Sequence, residues 1–136
     1  MEDRYLFKAK RVDDGEWVQG CYIYNIDRDC SESLNKFAHR IQPLYAHAYA
    51  EPIDPTTICQ CTGLNDKNGK LIWENDIIRT KVGTAKVIWD KSEWRIEWLK
   101  SDLWRKDLYY WAVEDNQKIE VIGNIFDNKD SLESEK

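Results

Sequence analysis

A chain of 136 residues makes one domain, or a domain with a small subdomain. Its 20 Lys+Arg against 25 Asp+Glu leave a net charge of −5, which argues against a general nucleic-acid binder, because neutralising phosphates needs a basic face. Seven Trp, seven Tyr and three Phe supply enough ring area to exclude wholesale disorder, and no run approaches the ~20 apolar residues that cross a bilayer.

The N-terminal residues Met1 to Tyr5 lack a basic stretch followed by an apolar core, so a cytoplasmic protein with reduced thiols is expected. Residues 5–10 read as a half-buried strand, with Tyr5, Phe7 and Ala9 on one face and Lys8 and Lys10 on the other. Asp13-Asp14-Gly15-Glu16 reads as a turn, since Asp bonds its own backbone and Gly accepts positive φ. Residues 17–26 read as the second strand of a hairpin. Ser31 opens a candidate helix with Leu34, Phe37, Ala38 and Ile41 at helical spacing before Pro43. Tyr45, His47 and Tyr49 alternate with Ala as a short strand, and residues 51–57, with Pro52 and Pro55, read as a loop.

From residue 58 the pattern is of short strands between frequent turns. Asn68-Gly69 marks a tight turn. Ala85, Val87 and Trp89 share one strand face; Trp94, Ile96 and Trp98 share another, across the turn Asp90-Lys91-Ser92-Glu93. Residues 118–125 end the series. Residues 99–117 fit a strand pair or a short helix equally, and residues 127–136 read as a solvated tail.

Three groups could carry chemistry. Cys59 and Cys61 could hold a soft metal, but their spacing and the scarcity of further ligands favour buried apolar cysteines. His39 and His47 accompany no nucleophile motif. Asp66, Glu74 and Asp76 could bind a divalent ion or do acid–base work, although carboxylates in turn-rich stretches commonly accept backbone N–H groups.

The run from Gln60 to Ile78, with Thr62-Gly63-Leu64, Asp66, Gly69, Glu74 and Asp76-Ile77, resembles the signature of the YopX family of phage and prophage proteins. Phe7-Lys8-Ala9, Trp17-Val18-Gln19-Gly20, Asp54-Pro55-Thr56-Thr57, Ala85 to Asp90, and the closing segment with Gly123-Asn124 extend the likeness over most of the chain. Cys61 stands where the family carries an aromatic and Asn75 where it carries Gly; Asn tolerates left-handed φ, so that turn can survive. The resemblance implies a β-rich fold whose C-terminal part is like an SH3 barrel, and a phage or prophage origin. It implies no known activity.

The expected architecture is therefore α+β and mostly β. An N-terminal hairpin region with a helical or irregular insertion (1–57) precedes an SH3-like barrel region (58–126) and a solvated tail. The motif residues are expected to be mainly structural. Trp104, Tyr109, Tyr110 and Trp111 are the candidate contact surface, since exposed rings mark protein contacts. The preferred expectation is a non-catalytic module that binds a host or phage protein or a copy of itself, with no cofactor or metal. A nucleic-acid-binding small barrel and a metal-dependent enzyme using Asp66, Glu74 and Asp76 are the alternatives.

Overall fold

The computed structural model describes residues 2–24, 38–44, 49–100, 105–114 and 118–128. The chain divides into two compact units, Met1–Gln60 and Cys61–Lys136. It is mostly β, in antiparallel sheets.

In the first unit, β1 (Phe7–Lys10) and β2 (Trp17–Tyr24) form the expected hairpin, with Phe7 opposite Gly20 and Lys10 opposite Trp17. The turn works through local acceptors. Asp13 Oδ1 accepts the Asp14 N–H, Asp14 Oδ1 accepts the Glu16 N–H, and Gly15 sits at φ 72°. Tyr5 departs from expectation: it belongs to a 3₁₀ turn, Asp3–Tyr5, and is exposed, while Leu6 is buried. Lys8 and Lys10 lie over the Trp17 ring, so the polar face of β1 carries cation–π contacts.

β3 (His39–Pro43) pairs with β2, and β4 (Glu51–Pro52) pairs with β3. Here the structure corrects the sequence reading. Ile41, placed on a candidate helix, is a strand residue opposite Tyr22; residues 31–37 lie outside the described residues. Ile41 and Pro43 are buried while Arg40 and Gln42 are half-buried, a period of two that suits the open edge of β2. Pro52 forms part of β4, an outermost strand, where the missing donor is tolerated. Of the short strand expected from Tyr45 to Ala50, Tyr49 and Ala50 fall among the described residues, and both lie outside any strand.

A 3₁₀ turn, Pro55–Thr57, follows, capped by Asp54 Oδ1 on the Thr56 N–H. The Thr57 hydroxyl donates to Asp54 O and accepts the Lys10 N–H, tying the turn to β1. β5 (Cys59–Asn65) begins here, with Gln60 opposite Phe7. Ala9, Val18, Ile41 and Ile53 form this unit's core.

In the second unit, the later residues of β5 pair with β6 (Leu71–Trp73). β7 (Asp76–Thr80), β8 (Gly83–Asp90), β9 (Glu93–Trp98) and β10 (Glu120–Asn124) form a four-stranded sheet in the order β10-β7-β8-β9. The barrel expected over 58–126 is not closed: among the described residues β9 and β10 are opposite edges of an open sheet. The β9 edge is instead met by residues 106–107, through the Ile96 N–H to Lys106 O bond and a bridge from Arg95 to Asp107. A π-helical turn, Tyr110–Glu114, answers the question left open for 99–117 where that segment is described. Ile72, Ile78, Val87, Ile96, Leu108, Trp111 and Ile119 are central to the core of this unit. Fully burying such an aliphatic side chain contributes roughly 1.5–3 kcal/mol.

Candidate functional site

Several of the motif residues meet around β10. Asn124 lies opposite Asp76 and Gly123 opposite Ile77, with a bulge at the step from Val121 to Gly123. Asp66 is 3% exposed, and its carboxylate accepts three backbone N–H groups. Oδ1 takes those of Asn68 and Lys70, closing the turn at Gly69 (φ 78°), and Oδ2 takes that of Val121 at 3.0 Å. Burial alone would raise the Asp66 pKa. The bonds from Val121, Lys70 and Asn68, together with the Lys70 charge, more than offset this, so the pKa lies below the ordinary value. Asp76, equally buried, accepts the Trp73 N–H on Oδ2 at 2.8 Å. Between them Asn75 takes φ 70°, its N–H bonded to Val87 O and its carbonyl accepting from Ile125.

Thr62, Gly63 and Leu64 form a bulge opposite Ile72, because Cys61 pairs with Trp73 and Asn65 with Leu71. Gly63 supplies φ 81° there, and the Thr62 hydroxyl donates to Ile72 O at 2.8 Å and accepts the Leu64 N–H. In the first unit Gln60 Nε2 donates to Arg4 O. Asn124 Oδ1 accepts the N–H groups of Phe126 and Asp127, and Asn128 Oδ1 accepts that of Asn124. Asn128 packs where a Cβ on Gly123 would stand.

Asp66 and Asp76 thus direct their carboxylates at backbone donors, and Glu74 is half-buried beside the Asn75 turn. Among the described residues no group of three or more His, Cys, Asp or Glu is placed to hold a metal. Cys59 and Cys61 are buried, with thiols directed at Thr57 O and Ile72 O. His39 Nδ1 shares a 2.5 Å hydrogen bond with the Tyr22 hydroxyl, and its ring packs on Tyr24. Burial, then the neighbouring Tyr24, pushes the Tyr22 pKa up. His47 lies outside the described residues.

The four rings read as a contact surface do not share one environment. Trp111 is buried, edge-on to Trp98 and to Tyr110. Tyr110 is half-buried under the Arg105 guanidinium, 4.4 Å from the ring centroid. Tyr109 is exposed, and Trp104 lies outside the described residues. The open aromatic feature that sequence reasoning missed is the tip of the β8–β9 hairpin. Trp89 is 54% exposed and stands edge-on to Trp94, with centroids 5.0 Å apart. The signal was a Trp on either flank of a four-residue turn, beyond the last paired core positions Val87 and Ile96.

A family model described as YopX protein matches residues 6–133. The chain is also similar to the crystal structure of protein EF1440 from Enterococcus faecalis, at 20% identity over 93% of this chain and 96% of that one, with a TM-score of 0.52. That likeness is one of fold. No curated protein matches the chain.

Proposed function

We propose that this chain, which belongs to the YopX family, is a phage or prophage accessory protein that works by binding in the bacterial cytoplasm. Its partner is a host or phage protein, or a second copy. The Trp89–Trp94 pair carries this reading. An indole more than half exposed at a hairpin tip adds little to its own core, and such rings serve as anchors in protein contacts. The buried carboxylates support it too: both oxygens of Asp66 accept backbone N–H groups, and Asp76 Oδ2 accepts that of Trp73.

The test is capture from lysogenic or infected cells with tagged protein, alongside light scattering over a concentration series. Trp89→Ala should stay folded and lose the captured partner or the self-association. A turnover activity abolished by one substitution in a folded protein would overturn this reading.

A further inference from the structure

We propose that the outer face of the β8–β9 hairpin is a docking groove for an acidic peptide segment of a partner protein. This rests on the binding reading above and names the chemistry of the partner. The groove is an open depression of about 460 Å³. Lys91, Arg95, Lys100 and Lys106 line it, against Asp90 and Glu97. Glu93 pairs with Arg95 beside it, so among the described residues cations still outnumber carboxylates four to three. In the whole chain acids outnumber bases, 25 to 20; the groove reverses that sign. Ile88 and Leu99 give it apolar wall.

The turn that carries Lys91 is a second, independent sign. Lys91 and Ser92 both have positive φ, 53° and 63°. A two-residue hairpin turn of that shape favours Asn-Gly, which adopts it with less strain. This chain instead places a lysine in the strained position, at the rim of the groove. Local rules broken in this way are found at functional sites. Arg95 is the central contact: its side chain is only 21% exposed, and a partly desolvated guanidinium binds a carboxylate more strongly than an open one.

A peptide suits the groove better than a nucleic acid does. A phosphodiester chain carries one charge per residue and would run across Asp90 and Glu97, on a protein of net charge −5. A peptide can set carboxylates against the cations and apolar side chains against Ile88 and Leu99.

The probe is a fluorescein-labelled peptide of alternating glutamate and leucine, titrated with the full chain at low and high salt by fluorescence anisotropy. Saturable binding that weakens with salt is expected. Arg95→Glu should weaken it by about tenfold or more. The double variant Lys91→Asn with Ser92→Gly should melt higher than the parent yet bind less tightly, which separates a binding role from a folding role. Unchanged affinity in both variants would overturn the groove, as would an oligothymidylate that binds as tightly as the peptide. A chain that captures a partner through Trp89 but leaves the peptide free overturns the groove alone. One that binds the peptide through Arg95, but whose partner capture and self-association ignore Trp89, overturns the earlier reading alone.

Discussion

The Asp66 carboxylate holds the backbone N–H of Val121 across 55 residues of sequence, at 3.0 Å. The same side chain closes its own turn through Asn68 and Lys70. One buried anion therefore joins the turn after β5 to the last strand. Asp66→Ala would strand three N–H donors, and hydrogen bonds to a charged acceptor contribute about 1.5–3 kcal/mol each, not additively. A loss of roughly 3 kcal/mol or more is expected, read as a lower urea midpoint with an unchanged slope.

The same carboxylate sets part of the acid sensitivity. Its native pKa lies below the ordinary 3.8, so the unfolded chain binds the proton more readily. The stability it contributes is complete above the ordinary value and drains away as pH falls through the lowered native value. Denaturation midpoints of the parent and of Asp66→Asn should converge as the pH is lowered through that window. A gap that stays constant would contradict the assignment.

Gly20 leaves no room for a side chain. A Cβ there would stand 2.0 Å from Gln42 O, in backbone that cannot step aside without breaking the β2–β3 register. Gly20→Ala should cost more than the ~1–3 kcal/mol typical of overpacking, and thermal melts should show it. Gly123→Ala is a milder case, because the clash is with the Asn128 side chain. Its effect should be non-additive with Asn128→Ala in a double-mutant cycle.

Asn75 stands at φ 70° between β6 and β7. Asn75→Ala should cost about 1–2 kcal/mol, the penalty of a Cβ in the left-handed region. Asn75→Gly should be neutral or stabilising by a few tenths. If the alanine variant matched the parent in chemical denaturation, the turn would not hold this conformation.

Much of this was legible in residue order. Asp13 to Glu16 announced a turn, and the alternation through Ala85–Trp89 and Trp94–Trp98 gave both strand faces. What alternation cannot give is where a core ends. Trp89 follows the pattern of Val87 but lies one pair beyond the covered part of the sheet, so it is exposed. Ile41 fitted a helical stripe and a strand face alike, and the open edge of β2 decided between them. In the described part of residues 99–117, Leu108, Trp111 and Ala112 are buried at helical spacing, but Tyr109 and Tyr110 between them obscured the period. The bond from Asp66 to Val121 had no local signature, since nothing near either residue specifies a partner so distant in sequence. The resemblance to the YopX family covered that gap: it grouped the two segments without saying what joined them.

Translation order gives that distant bond a further meaning. As the chain leaves the ribosome, β7 and β8 can pair early, but the other side of β7 waits for the strand that begins at Glu120. Until then the Ile77–Ile78 stretch is an unprotected edge, and Asp66 lacks one of its donors. Contacts so far apart form late, and waiting edges invite other chains. The open edge along β7 thus belongs to the partly made chain and is closed in the folded one by β10.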